Sequence, residues 1–218
     1  MTIGSATRGI LGKRLFARVG KAYRSVFVNL EKVALAIEPH VPKNGYVIDI
    51  GGGDGEPLNY LMAKRSDIHV DMIDLSANLG GMLKPEFLGR IKTYPCTSIA
   101  EFSKMGRPAP DCVIISDVIH HVPAADRRAF FDDLKTLIGA TPVRLIIKDV
   151  EPGSLRSALG YFADRFISGD KNVSLISQTA LIALVTEGLP GMACTTTPLM
   201  EWDSPNYALV FTQESHAS

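Results

Sequence analysis

The chain has little cysteine, a single tryptophan, no excess charge of either sign and no long apolar run. Each shortage removes a class of function. Its three cysteines, Cys96, Cys112 and Cys194, are odd in number and scattered. They make neither a disulfide framework nor a zinc spacing, and they suit a reducing cytoplasm. Lysine plus arginine total 23, and so do aspartate plus glutamate. Zero net charge offers no global attraction to nucleic acid. No apolar stretch approaches the roughly 20 residues a membrane span needs. No repeat, low-complexity tract or linker divides the 218 residues, a length that suits one domain with a substantial core.

What is present begins at Tyr46-Val47-Ile48-Asp49-Ile50, a run rich in β-formers. It leads into Gly51-Gly52-Gly53-Asp54-Gly55. Glycine at positions 51, 53 and 55 permits positive φ and close approach of a ligand to the backbone. A helix is expected from Leu58 to Lys64, so the turn sits at a helix N-terminus. The dinucleotide pattern G-x-G-x-x-G fails, because the sixth position from Gly51 is Glu56. A pyrophosphate is also poorly matched to Asp49 and Asp54. A cationic or zwitterionic ligand suits them. The plain alternative is a strand-to-helix turn that merely needs glycine.

Strand-like runs at 46–50, 69–74, 90–94, 111–116, 143–149, 192–197 and 206–212 alternate with helical stretches at 57–64, 77–84, 98–104 and 124–138. Two further helices are expected at 154–166 and 177–186. This order predicts an α/β fold: a doubly wound, mostly parallel seven-stranded sheet closed by a C-terminal antiparallel hairpin. In such sheets ligands bind beyond the carboxyl ends of the strands, where the strand order switches.

The D-x-G-x-G-x-G run, Asp49 to Gly55, resembles the first motif of class I S-adenosylmethionine-dependent methyltransferases. The strand order over residues 40–212 is similar to that family's architecture. The resemblance implies S-adenosyl-L-methionine as cofactor, whose sulfonium and amino group suit the acidic flank. It places Asp49, Gly51, Gly53 and Gly55 around the cofactor and Asp74, with Leu75 after it, at the ribose. A carboxylate at the end of the second strand can take two hydrogen bonds from a vicinal diol. Asp71 is less well placed, and a helix N-cap is the structural alternative for Asp74. At the end of the third strand the family often has Gly-Asp facing adenine; here Cys96 or Thr97 stands instead. Ser116 ends the fourth strand at the pocket wall.

Val118-Ile119-His120-His121-Val122 follows. The small-molecule O-methyltransferases of the family carry Leu-His-Asp-Trp there, with the His as general base. His120 matches that base, while His121 and Val122 depart from the pattern. The alternative is a packed or hydrogen-bonded pair. Adjacent side chains diverge too far to share one metal ion, and no metal is expected. Lys148 and Asp149 end the fifth strand where a substrate arrives, either to orient it or to pair structurally. Asp164, Arg165 and Asp170 are weaker candidates on the acceptor side.

The N-terminal stretch is basic and amphipathic. Arg8, Lys13, Arg14, Arg18, Lys21 and Arg24 precede the first acid, Glu31. Residues 1–40 are read as a helical cap or lid on a binding domain at 41–218. A solvated helix face or a transit peptide would share this pattern, and its apolar side would suit a homodimer seam. The expected activity is methyl transfer to an oxygen or nitrogen of a small molecule in specialised metabolism. No Asn-Pro-Pro-Tyr-type run points to nucleic-acid bases. The rivals are a methyltransferase acting on RNA or protein, a non-catalytic cofactor-binding partner subunit, and a nicotinamide-dependent oxidoreductase disfavoured by the failed fingerprint.

Overall fold

The computed structural model describes residues 30–153, 174–195 and 206–213. The twelve elements used below are α1 (Leu30–Ile37), β1 (Tyr46–Ile50), α2 (Glu56–Lys64), β2 (His69–Ile73), β3 (Ile91–Tyr94), α3 (Ile99–Ser103), β4 (Cys112–Ser116), α4 (Arg127–Ile138), β5 (Arg144–Val150), α5 (Gln178–Gly188), β6 (Met192–Cys194) and β7 (Asn206–Gln213). All seven strands join one sheet in the order β3-β2-β1-β4-β5-β7-β6. β1 to β5 are parallel, and β7 runs antiparallel to both β5 and β6. The expected parallel sheet and closing antiparallel pair are therefore both present.

Alternation along the central strands divides the core into two layers. Ile48, Ile50, Val113, Ile115, Leu145 and Ile147 face α3, α4 and α5 through Phe102, Phe131, Leu134, Leu181 and Val185. Val47, Val70, Met72, Ile114 and Ile146 face α1 and α2 through Ile37, Leu58, Leu61 and Met62. Helices thus cover both faces, as continuous apolar strands require. β1 and β4 lie side by side at the centre, in the register Ile50↔Ile115. The chain leaves β1 toward β2 on one side and β4 toward β5 on the other. This is the switch in strand order, and a crevice opens beyond their carboxyl ends.

The amino end of the sheet is closed by Arg65, which is 8% exposed. Its guanidinium donates to the carbonyls of Val41 and Pro42, at 2.7 Å each, and to Asp67. Burial of this charge is tolerated because its donors are paired. The described part of the expected cap, α1, packs through Val33, Ala34 and Ile37. Residues 1–29, the helix expected at 154–166 and the connector at 202–205 lie outside the described residues. No described helix is long and apolar enough to cross a membrane.

One expectation fails. Residues 77–84 form no helix, and only a short 3-10 turn, Pro85–Phe87, follows them. The local polar groups are committed to other geometry. Asp74 Oδ1 accepts from the Ser76 N–H at 2.7 Å, and Ser76 Oγ accepts from the Asn78 N–H at 3.2 Å. Gly80 adopts φ +73°, which a helix does not contain. The Gly80 and Met82 N–H groups donate across to the carbonyls of Gly53 and Asp54, at 2.8 and 2.7 Å. Long-range pairing overrides the helical apolar spacing here.

Candidate active site

The glycine turn follows directly from β1 and is held to the end of β2. The Gly51 N–H donates to the Ile73 carbonyl at 2.8 Å, and the Gly53 N–H to Asp74 Oδ2 at 3.0 Å. Gly51 has φ +72°, and a Cβ there would collide with Val118 Cγ2. Gly53 has φ +55° and opens to free space, its nearest neighbour being the Gly51 carbonyl at 3.9 Å. Gly51 is thus required by its close neighbour as well as by its φ, whereas at Gly53 the positive φ alone asks for glycine.

Beneath the turn lies Asp49, 7% exposed. A Cβ on Gly52 would approach its Oδ2 at 2.6 Å. Within the described residues the Asp49 carboxyl accepts no hydrogen bond. Burial, and then the nearby Asp74 carboxylate, push its pKa up to about 7. A buried carboxyl beside a second carboxylate suits a positively charged group. As an acceptor, the Asp49 carboxylate fits the amino group and sulfonium of S-adenosylmethionine, with Asp74 left for a ribose diol.

A cavity of about 640 Å³ opens at this end of the sheet. Ile50, Gly51, Asp74 and Leu75 line one side, Thr97 to Ile99 another, and Asp117, Val118, His121 and Val122 a third. One face of α4 closes it, with Ala129, Phe130 and Asp133 at helical spacing. Leu75, 75% exposed, is a large apolar side chain offered at its edge. The Thr97 hydroxyl is turned to the Pro95 carbonyl at 3.0 Å, and Ser98 caps α3 in a reciprocal box with Glu101. Cys96 is exposed with φ +53° and does not line the cavity. Gly53, Gly55, Asp49 and Ser116 also lie outside its lining residues. Gly55 instead packs on Leu83, which a Cβ there would meet at 2.6 Å. Asp71 is not a rival of Asp74. It is buried between the Tyr46 hydroxyl at 2.8 Å and Arg107 at 2.8 Å.

β4 and β5 bring the charged residues together. His120 is 3% exposed and Asp149 fully buried, and His120 Nδ1 lies 2.6 Å from Asp149 Oδ1. Asp149 also accepts from the His120 and Val150 backbone N–H groups, at 3.3 and 2.8 Å. A carboxylate can only accept, so the proton between the two lies on Nδ1. The His121 ring packs on His120 at 4.1 Å between centroids and is the member of the pair that faces the cavity. Lys148, one position earlier on β5, points to the opposite side. Its buried ammonium meets both oxygens of Asp117, at 2.5 and 2.7 Å. Asp117 has φ +58°, a conformation that aspartate tolerates better than most side chains. The Asp117, His120 and Asp149 ligand atoms lie within 4.8 Å of one another, with the Lys148 ammonium as the cation beside them.

Sequence reasoning had placed Lys148 beside the substrate or in a structural pair; the structure makes the pair. It had no signal for the α4 face, because only packing shows which side of that helix meets the cavity.

A profile described as a methyltransferase domain matches residues 22–187. No curated protein sequence matches the chain. Among solved structures, the apo form of the S-adenosylmethionine-dependent methyltransferase SibL aligns with TM-score 0.72 at 15% identity, covering 97% of this chain and 62% of SibL. The calicheamicin-biosynthesis methyltransferase CalO1, in its SAH-bound form, gives 0.61 at 18%, covering 84% and 53%. The mitomycin 7-O-methyltransferase MmcR gives 0.64 at 15%, covering 85% and 53%. The chain thus spans between about half and three-fifths of the length of these proteins. Likeness at this identity speaks for the fold alone. With the profile covering most of the residues, and the glycine turn and strand order both in place, the chain belongs to the methyltransferase-domain family, class I and Rossmann-like, whose members depend on S-adenosylmethionine.

Proposed function

We propose that the protein transfers a methyl group from S-adenosylmethionine to an oxygen or nitrogen of a small-molecule acceptor. One observation carries this reading: a single cavity brings the glycine turn and Asp74 together with His121, packed on the buried His120–Asp149 pair. The cofactor supplies an activated methyl group on a sulfonium, so alignment is the protein's main task. Asp49 would face the amino acid end of the cofactor, Asp74 would accept from its ribose hydroxyls, and Leu75 would offer apolar cover to its adenosine. Asp149 orients His120, and His120 Nε2 takes the proton of an acceptor hydroxyl as the methyl arrives. A neutral amine acceptor would attack through its lone pair and release its proton after transfer, so it needs only desolvation and a carboxylate such as Asp149; an ammonium would first have to lose a proton. The acceptor class rests on analogy with NcsB1, a neocarzinostatin-pathway O-methyltransferase at 17% identity, solved with S-adenosylmethionine and a hydroxynaphthoic acid. Cys96, Cys112 and Cys194 form no disulfide, which suits a reducing, cytoplasmic setting.

A second reading of the base follows from His121, which lines the cavity where His120 is buried. Titrating the protein with S-adenosylmethionine, using NAD and NADP as controls, tests the cofactor. Micromolar binding of the first alone is expected, and no binding by folded protein would refute the function. With an acceptor in hand, His120→Ala should slow transfer to a hydroxyl by about 10²–10⁴-fold. A near-normal rate there, with a large loss in His121→Ala, would hand the base role to His121.

A further inference from the structure

Asn59 is a polar residue on α2 that is 6% exposed, in a helix otherwise buried through Leu58, Leu61 and Met62. Its side chain is not spent on its own helix. Nδ2 donates to the Met82 carbonyl at 2.8 Å, and Oδ1 accepts from the Lys84 N–H at 2.9 Å. A planar carboxamide presents a donor and an acceptor side by side, as a peptide group does. Here it pairs with residues 82 and 84 as a neighbouring strand would. The segment from Gly80 to Lys84 is thereby held on the glycine turn. Gly80 and Met82 donate to the Gly53 and Asp54 carbonyls, and Leu83 fills the space beside Gly55. The Gly53 peptide is gripped from both sides: its carbonyl by Gly80, its N–H by Asp74.

We propose that Asn59 is a positioning residue for the cofactor: its amide clamps the 80–84 segment onto the glycine turn and so keeps the Gly53 peptide and the Asp74 carboxylate in register. This rests on the cofactor reading above. Asn59 touches no part of the cavity wall itself and acts through the turn. Aspartate has the same shape but no donor, and it sets a carboxylate oxygen against the Met82 carbonyl. The clamp can also be opened from its other side. Lys84 has φ −78° and ψ 138°, which proline adopts, so Lys84→Pro removes the N–H that Asn59 Oδ1 accepts while keeping the backbone angles of position 84.

Calorimetric titration of the full chain with S-adenosylhomocysteine separates positioning from mere folding. Material that fails to fold lowers the stoichiometry, whereas a misaligned site raises Kd at full stoichiometry. Asn59→Asp should raise Kd about tenfold or more, and Lys84→Pro should raise it severalfold, in the range of one or two lost hydrogen bonds. Binding by the wild-type chain with Kd unchanged in a folded Asn59→Asp or, should that variant not fold, in Lys84→Pro overturns the inference alone. Absence of binding by the wild-type chain removes the cofactor reading and this inference with it.

Discussion

Two neighbouring carboxylates, Asp49 and Asp74, set the character of the site. Asp74 is shaped by its own loop, accepting from Gly53 and Ser76, and its oxygens face the cavity. Asp74→Ala should weaken S-adenosylmethionine binding by roughly 1–3 kcal/mol, read by calorimetry, because charge-assisted hydrogen bonds are lost. Asp49 predicts a pH dependence. Its pKa is raised on folding, to about 7, by burial and by Asp74. Between the ordinary carboxyl value and about 7 the folded chain therefore holds a proton that the unfolded chain has lost. That contribution to stability is fully present below the window and is gone above it. Thermal melts of the apo protein should show this loss as pH rises, and Asp49→Asn should remove it. A cationic ligand group draws the proton off, so cofactor affinity should rise with pH and level off above about 7.

The elements divide the molecule into a working end and a closing end. At the carboxyl ends, β1 launches the glycine turn, β2 leads to Asp74, and β4 and β5 lead into the buried His120–Asp149 pair and the Lys148–Asp117 ion pair. At the amino ends, Arg65 ties the end of α2 to the 38–42 segment and Asp67. Arg65→Met keeps the apolar stem but strands the Val41 and Pro42 carbonyls. It should destabilise the fold by about 2–4 kcal/mol in urea denaturation. The same variant should leave Kd for S-adenosylhomocysteine unchanged, since Arg65 closes the end remote from the cavity. A shared loss of affinity would show that the two ends are coupled. The missing helix at 77–84 belongs to this scale too. Its apolar spacing is helical, yet Gly80 and the Asn59 clamp give the segment to the glycine turn.

For the whole molecule, the described core is packed on both faces of one sheet. We expect deletion of residues 1–25 to leave a folded chain that still binds S-adenosylhomocysteine while methyl transfer to the acceptor falls. Circular dichroism, calorimetry and release of S-adenosylhomocysteine check the three parts. Retention of full activity would exclude a lid.

By itself the sequence determined the strands, their order along the chain, the glycine turn and an acidic residue just past the second strand. Those features rest on local rules: β-branched runs, positive-φ glycines and a short acidic strand end, each legible within a few residues. His120 and Asp149 were legible as candidates, 29 residues apart. Only the tertiary structure decided that they form one buried pair, that Lys148 belongs to Asp117, and that Asn59 grips a segment more than 20 residues away. Such choices depend on which backbones lie side by side in the sheet and on which polar groups lose water there. A buried donor or acceptor must find its partner in three dimensions, and no local pattern names that partner.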